Sequence, residues 1–324
     1  MNTQFARIFS VLSLAAVTVV AAEKDTISKS FTVKPGQNLV MQVDRGSIKV
    51  LTADSDKVEI TVARELKRGS DEEARNAYEK HQIEITQDGD TVRVETEKGL
   101  FDGVKNALRN LEVEYTVTVP SRFNLDLNTA GGNIDVAAVE GEVEVHTSGG
   151  NLMLTGVKGP IEAQTSGGRI ELSSGHGKAQ LQTSGGDIRV GDVTGDLMAK
   201  TTGGNISVEK VSGSSEVSTS GGDIQIKSAQ GTIKARTTGG NINAQLAGAP
   251  AGASYLRTTG GNINVDINEK AALNLKARTT GGQVKGDIDG EYNKQKTSLV
   301  AQLNGGGPEL AVETTGGNIK LRTK

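Results

Sequence analysis

Hydrophobic and polar residues alternate in short segments through most of the chain beyond residue 124, and glycine separates the segments. Ile188 and Val190 flank Arg189 in one such segment, and Ile206 and Val208 flank Ser207 in the next. Alternation with a period of two is typical of a β-strand that buries one face. A second alternating segment follows a glycine in the middle of each repeat. Each unit therefore predicts a strand, a glycine turn, a second strand and a Gly-Gly turn.

The Gly-Gly pairs recur at a fixed spacing. Pairs begin at Gly131, Gly149, Gly167, Gly185, Gly203, Gly221 and Gly239 in steps of 18, at Gly260 and Gly281 in steps of 21, and at Gly316 after a step of 35. A fixed period near 20 residues indicates a stacked array of one repeated unit. For residues 125–324 we predict an all-β fold, a parallel β-solenoid (β-helix or β-roll) of about ten coils of 18–21 residues.

Stacking such repeats places like residues above one another. The threonines that precede the Gly-Gly pairs, such as Thr147, Thr165 and Thr183, share the parity of the buried aliphatics. We expect them to form a semi-buried hydroxyl ladder that satisfies backbone groups at the corner. Asparagines that follow the glycines, such as Asn133 and Asn151, are expected to bond along the stacking axis.

Residues 23–124 lack the Gly-Gly repeat and are expected to form a β-rich cap over the first coil. Ser70 precedes three acidic residues, which predicts a capping box and a helix over about 70–82. Asp88-Gly89 lies between two alternating segments and predicts a hairpin. At the other end, Lys320, Arg322 and Lys324 lie on the last short strand, where they are expected to blunt an exposed sheet edge.

The first residues have the pattern of a secretory signal peptide. Arg7 precedes an apolar run from Ile8 to Val20, and small residues lead to a cleavage point just before Glu23. The run is about 13 residues long, shorter than the roughly 20 needed to span a bilayer. We predict a signal peptide over 1–22, an exported protein of the periplasm, cell surface or medium, and no transmembrane segment in the mature chain.

Composition argues against some classes of partner and some kinds of chemistry. The 324 residues carry a formal net charge of −3, contain no cysteine and include only 3% aromatic residues. The near-balanced charge gives no reason to expect a nucleic-acid partner, and the lack of cysteine excludes disulfides and thiolate metal ligands. A thin solenoid needs few large aromatic side chains as core filler.

The signal segment, Gly46-Ser47-Ile48-Lys49-Val50, and the recurrent Ser-Gly-Gly-Asn/Asp-Ile motif together resemble the bacterial "putative adhesin" domain family. The segment Asn304-Gly305-Gly306-Gly307-Pro308 is similar to that family as well. The resemblance covers nearly all of the mature chain and implies a β-strand repeat protein. The family is one of unknown function, so the resemblance carries no catalytic residues.

We find no motif for enzymatic or metal chemistry. His81, His146 and His176 are far apart in sequence, whereas a metal site needs clustered ligands. His81 is expected on the surface of the predicted helix. We therefore expect no enzyme activity, no cofactor and no metal. The alternatives left open are a polysaccharide-active enzyme on a β-helix and a periplasmic component of envelope-stress signalling.

An enzyme that cleaves polysaccharides would carry acids on one outward strand face. The candidate acids are Glu144, Glu162, Glu171 and Asp135. They are scattered through a mixed polar surface, and we interpret them as part of a solvated sheet face.

Basic residues accumulate on one predicted face of the later coils. The candidate face for a polyanion consists of Lys200, Lys234, Arg236, Arg257, Lys276 and Arg278. Glu144 and Glu162 are expected on the same face of the earlier coils. We hypothesise that the basic end docks an anionic cell-envelope glycan or another envelope protein. The competing interpretation is that these charges only keep the sheet soluble.

Overall fold

The computed structural model describes residues 24–96, 108 and 110–324. The N-terminal part contains β1 (Lys24–Thr32), β2 (Asn38–Val43), β3 (Ser47–Ala53), β4 (Lys57–Leu66), helix α1 (Asp71–Lys80), β5 (Ile83–Asp88), β6 (Thr91–Thr96) and β7 (Leu111–Pro120). The first repeats contain β8 (Asn124–Thr129), β9 (Ile134–Val136), β10 (Val143–Thr147), β11 (Leu152–Leu154), β12 (Val157–Lys158), β13 (Ile161–Thr165), β14 (Ile170–His176), β15 (Ala179–Gln182) and β16 (Ile188–Val193). The signal-peptide prediction for 1–22 lies outside the described residues.

The later repeats contain β17 (Leu197–Lys200), β18 (Ile206–Val211), β19 (Ser215–Ser218), β20 (Ile224–Ala229), β21 (Ile233–Arg236), β22 (Ile242–Leu246), β23 (Ser254–Thr258) and β24 (Ile263–Ile267). The C-terminal part contains β25 (Leu273–Thr279), β26 (Val284–Gly286), β27 (Glu291–Tyr292), β28 (Ser298–Leu303), β29 (Glu309–Thr314) and β30 (Ile319–Thr323). Within these described ranges, the predictions of an all-β chain with mostly parallel strands and one helix are confirmed.

The strands of the described residues form two sheets of 15 strands each. Sheet A contains β14, β16 and β18, and sheet B contains β13, β15 and β17, so successive repeats add one strand to each sheet. Neighbouring strands are parallel, and Ile170 pairs with Ile188, 18 positions along the chain. We call the two strands that one repeat contributes, one in each sheet, a rung.

The core lies between the sheets and is built from stacked aliphatic side chains. Ile188, Ile206 and Ile224 lie one above another in sheet A and are at most 1% exposed. The facing positions of sheet B often carry alanine, as at Ala199 and Ala235, and these are also buried. Because the interior is thin, small aliphatic residues can fill it at normal packing density.

The second glycine of each pair allows the rungs to approach one another. A Cβ atom on Gly204 would overlap the carbonyl oxygen of Gly186 in the rung below and would lie 2.7 Å from the backbone nitrogen of Asp187. By contrast, a Cβ on Gly203 would meet no atom closer than 3.5 Å. The requirement for glycine at this corner therefore falls on the second residue of the pair.

Both predicted polar ladders are present. Thr183 Oγ1 donates to the carbonyl of Gly168 at 2.8 Å, and Thr201 Oγ1 repeats the bond one rung later to Gly186 at 2.9 Å. Asn133 Oδ1 accepts from the backbone nitrogen of Asn151 at 2.8 Å. The amide column therefore bonds mainly to the backbone of the next rung, which satisfies donors left free at the corner.

The N-terminal part continues both sheets. β2 pairs in parallel with β8, and β3 pairs in parallel with β9. Thr129 Oγ1 donates to Gly46 O at 2.9 Å, as the ladder threonines do to their glycines. Residues 38–53 thus form a rung in register with the repeats, and β1, β4 and β7 extend sheet A beyond it while β5 and β6 extend sheet B.

The helix and the hairpin of the N-terminal part form as predicted. Ser70 and Glu73 make the reciprocal capping-box bonds at the start of α1. β5 and β6 pair antiparallel around Gly89, which has a φ of 56°. Positive φ is the conformation that glycine adopts without the strain other residues incur.

The C-terminal rung does not lie at the end of the stack, and the prediction that it blunts an exposed edge is wrong. β30, which carries Lys320 and Arg322, lies between β24 and β26. β29 likewise lies between β23 and β25. After β24 the chain first forms β25 and β26, which lie one rung further from the N-terminal part. It then returns, and β29 and β30 form the rung between β23–β24 and β25–β26. Backbone pairing on both sides of the inserted rung makes this arrangement possible.

Among the described residues, no helix has the length and apolar character needed to cross a membrane.

Candidate binding surface on sheet B

The six predicted basic residues all lie on sheet B, where they alternate with buried residues and point outward. Lys200 is on β17, Lys234 and Arg236 on β21, Arg257 on β23, and Lys276 and Arg278 on β25. Strand register places them in two parallel columns along the stacking axis. One column runs Lys200, Ser218, Arg236, Arg257, Glu313 and Arg278, and the other runs Met198, Glu216, Lys234, Tyr255, Ala311 and Lys276.

Three of the six cations are paired with acids of neighbouring strands. Lys200 lies 3.7 Å from Glu216, and Lys276 lies 2.6 Å from Glu309. Arg257 donates charge-assisted hydrogen bonds to the Glu313 carboxylate. These pairs are exposed, where ion pairs contribute about 0–1 kcal/mol to stability.

Lys234, Arg236 and Arg278 are exposed and form no ion pair within the described part of the chain. Arg236 is paired in register with Arg257, and its neighbour on the other side is Ser218. Like charges directly opposite one another in a sheet are destabilising. The free positive charge of the face is therefore concentrated between β21 and β25.

Arg236, Arg257 and Arg278 line one shallow depression of about 380 Å³. Its other polar walls are the exposed threonines of the Gly-Gly corner and one acid: Thr259, Thr280, Thr315 and Glu313. The hydroxyls of these three threonines make no hydrogen bond to any described residue. Guanidinium forks and free hydroxyls are donors that suit an oxyanion.

The opposite end of the same face is acidic, as predicted. Glu144 pairs in register with Glu162 on one side and with Asp126 on the other, and all three point outward from sheet B. The face therefore changes from acidic to basic along the stack. Asp126 belongs to this column as well, although its position just before the first repeat hid it from the sequence pattern.

The remaining candidate acids lie elsewhere. Asp135 on β9 and Glu171 on β14 are on sheet A, on the far side of the core from Glu144 and Glu162. Burial raises the pKa of Asp135, and the nearby Lys49 opposes that shift. The four acids are thus divided between two surfaces and do not form one outward carboxylate cluster.

The prediction that His81 is a surface residue is wrong. His81 is 2% exposed, and its Nε2 lies 3.0 Å from Asp44 Oδ1. Burial raises the pKa of Asp44, but hydrogen bonds from His81 and Arg45 outweigh this effect and lower the pKa to about 2. The buried residues Ala74 and Ala77 of α1 precede His81 at helical spacing, which is the sequence signal that could have placed it on the inner face.

His146 and His176 lie away from His81. His146 Nε2 lies 3.8 Å from Glu144 on sheet B, and His176 Nδ1 lies 3.1 Å from Thr194 Oγ1. In residues 24–96, 108 and 110–324, no group of three or more His, Asp or Glu side chains is placed to hold a metal ion.

Sequence reasoning missed two features of the basic end. Tyr255 is 39% exposed and stands next to Lys234 in its column. Glu309 and Glu313 enter the face between β23 and β25 because the C-terminal rung is inserted there. The long final step of 35 residues between Gly281 and Gly316 was the only sequence sign of that insertion.

Comparison with known proteins finds a family and several solved structures. The family model described as Toastrack DUF4097 matches residues 37–224 and 209–322. A "putative adhesin" structure from Parabacteroides merdae is similar at 13% identity, covering 92% of this chain and 96% of that chain, with a TM-score of 0.42. No curated protein matches the chain.

Two further solved structures are similar to this chain over more than nine-tenths of its length. One from Parabacteroides distasonis, titled "putative lipid binding protein", is 12% identical over 91% of this chain and 96% of that chain, with a TM-score of 0.40. A "putative adhesin" from Bacteroides fragilis is 14% identical over 92% of this chain and 97% of that chain, with a TM-score of 0.34.

Proposed function

The chain belongs to the Toastrack DUF4097 family, and on that premise we propose that it is an exported, non-catalytic binding scaffold of the bacterial cell envelope. Its proposed partner is an anionic envelope glycan, held on the basic end of sheet B. The observation that carries this proposal is that Lys234, Arg236 and Arg278 lie on one outward face without an ion-pair partner among the described residues. Long, regular faces of stacked repeats suit multivalent contact with an extended polymer.

The proposed architecture is a single parallel β-solenoid of about ten coils. Support comes from the alternation of successive strands between the two sheets and from the 18-residue register. A stack of this kind offers the same side-chain position to solvent once per rung, about 4.8 Å apart. A linear polymer that follows the axis would therefore meet a repeated set of contacts.

Export is proposed from the sequence of residues 1–22. The positive Arg7, the apolar run that ends at Val20, and the small residues before Glu23 support it. Protease accessibility of a tagged protein on intact cells would separate the cell surface from the periplasm. Retention of an uncleaved protein in the cytoplasm would contradict the proposal.

Binding is tested with the purified protein and three polymers of similar length: a sulfated glycan, a phosphorylated glycan and an uncharged glycan. We expect the charged polymers to bind at low salt and to be released at high salt, because exposed charge contacts are screened. The uncharged glycan is the matched control. Equal binding of all three polymers, or no binding by any, contradicts the proposed partner.

The enzyme alternative can be checked with the same polymers. Glu144 and Glu162 share an outward column with Asp126, and both are exposed to solvent on the strand face. Because an exposed strand face does not shield a reacting bond from water, we expect no change in polymer length on incubation. Shortening of any polymer, abolished by Glu162→Gln, would favour catalysis over binding.

A further inference from the structure

The depression between Arg236 and Arg278 differs from the rest of the basic face in the geometry of its donors. Lys200 and Lys276 are each held by an acid, at 3.7 Å and 2.6 Å. Arg236 and Arg278 make no such pair with any residue that the structure describes. Each guanidinium presents five N–H donors in a planar fork, a shape that matches the oxygens of phosphate, sulfate and carboxylate groups.

The corner threonines add neutral donors to the same depression. Thr259, Thr315 and Thr280 lie on successive levels of the stack, and their hydroxyls are exposed. The ladder threonines beside them are different, because Thr258 Oγ1 and Thr279 Oγ1 are buried and donate to glycine carbonyls at 2.7 Å. The depression thus contains three arginines and three threonine hydroxyls. The three hydroxyls have no hydrogen-bond partner among the described residues.

One acidic residue, Glu313, lies in this site because the C-terminal rung is inserted there. Glu313 of β29 lies between Arg257 and Arg278 in the column and is bonded to Arg257. Without the inserted rung, Arg257 and Arg278 would be direct neighbours. Glu313 therefore occupies the position beside Arg257 that an oxyanion would take.

We propose that the depression lined by Arg236, Arg257 and Arg278 is a subsite for a tetrahedral oxyanion carried by a polymer, a phosphate or sulfate group, and that Glu313 is its internal competitor. This inference rests on the proposed binding of anionic glycans and names the group that is recognised. The incoming oxyanion accepts from the guanidinium groups and from the threonine hydroxyls, and it replaces the Glu313 carboxylate at Arg257.

The test uses the full chain and two variants of opposite expected effect. Dissociation constants are measured for linear polyphosphate, for dextran sulfate and for uncharged dextran. Arg236→Gln with Arg278→Gln should weaken binding of the preferred charged polymer by at least about tenfold, because charge-assisted hydrogen bonds to the oxyanion are lost at both positions. Glu313→Gln should tighten it by about threefold to tenfold. The two charged polymers distinguish phosphate from sulfate.

A matched control comes from the opposite sheet. Lys285 and Lys320 are exposed, stacked in register on sheet A, and belong to the same C-terminal levels. Lys285→Gln with Lys320→Gln removes the same charge but touches neither the guanidinium forks nor the depression. We expect it to change the dissociation constant by less than about twofold, as for remote exposed charges.

The outcomes separate the two proposals. If the protein binds charged polymers but the arginine variant binds as tightly as the unaltered protein, or if the lysine variant loses as much, the subsite is refuted and the proposed function stands. Unchanged or weaker binding by Glu313→Gln refutes the role of Glu313. No binding of either charged polymer refutes both proposals.

Discussion

The sharpest consequence of the corner geometry is a difference between two adjacent glycines. Gly203→Ala places a Cβ no closer than 3.5 Å to any neighbouring atom, whereas Gly204→Ala places one against the carbonyl of Gly186. Both substitutions add the same methyl group and raise the intrinsic strand propensity of the chain equally. Any difference in stability between them therefore reports the close approach of two rungs.

The size of the difference can be worked from the neighbouring bonds. Relief of the Gly204→Ala overlap requires the rungs to separate by roughly 1 Å, since such contacts are not tolerated at normal packing density. The Gly203 N to Ser184 O bond of 3.0 Å and the Asn205 N to Asp187 Oδ1 bond of 2.8 Å lie on either side and would lengthen. Overpacking costs about 1–3 kcal/mol, and each weakened bond adds about 1 kcal/mol.

We therefore expect Gly204→Ala to lower the free energy of unfolding by about 3–5 kcal/mol. Gly203→Ala should leave it unchanged or raise it by about 0.4–1 kcal/mol through the lower entropy of the unfolded chain. Urea unfolding followed by circular dichroism gives both values, with the slope checked because repeat arrays can lose two-state behaviour. Equal stability of the two variants would show that the rungs do not meet as closely as the structure places them.

Three further changes test the ladders, the core and the N-terminal cluster. Thr183→Val leaves the Gly168 carbonyl without its 2.8 Å hydrogen bond and should lower the urea midpoint by the equivalent of about 1–2 kcal/mol, while the adjacent exposed Ser184→Ala should not move it. Ser215 is buried between Leu197 and Ile233 of the neighbouring strands, and its hydroxyl has no hydrogen-bond partner among the described residues. Ser215→Ala should therefore raise the midpoint by the equivalent of about 1 kcal/mol, and a lower midpoint would mean that the hydroxyl has a partner. Because the pKa of Asp44 is lowered to about 2, its stabilisation of about 2 kcal/mol is present above pH 4 and is lost as the pH falls towards 2. A pH series of thermal unfolding should show this loss in the unaltered protein and a smaller one in Asp44→Asn.

The repeats were predictable because their information is local. Glycine spacing and two-residue alternation specify which side chains point inward, and stacking then forces the register, so that Ile188 and Ile206 must meet. The Thr183 bond to Gly168 follows from the same register. The capping box at Ser70 was equally readable, since it depends only on residues within one helical turn.

The N-terminal cluster was not predictable in this way. Asp44, which follows β2, contacts His81, which follows α1, although the two residues are 37 positions apart in the chain. Such a contact depends on the path of the intervening strands, which the pattern of any single segment does not contain. The misplacement of His81 on the surface came from judging its helix without the sheet against which it packs.

The amino-acid sequence alone determined the all-β class, the stacked repeats and the outward placement of the six basic residues, because strand parity and glycine spacing are properties of neighbouring residues. Only the tertiary structure decided at which level of the stack the C-terminal strands lie. By inserting β29 and β30 beneath β25 and β26, it placed Glu313 among the arginines. The physical reason is that backbone hydrogen bonds between parallel strands depend little on side-chain identity. The order of the last rungs therefore depends on the path of the whole C-terminal segment and not on the pattern of any one strand.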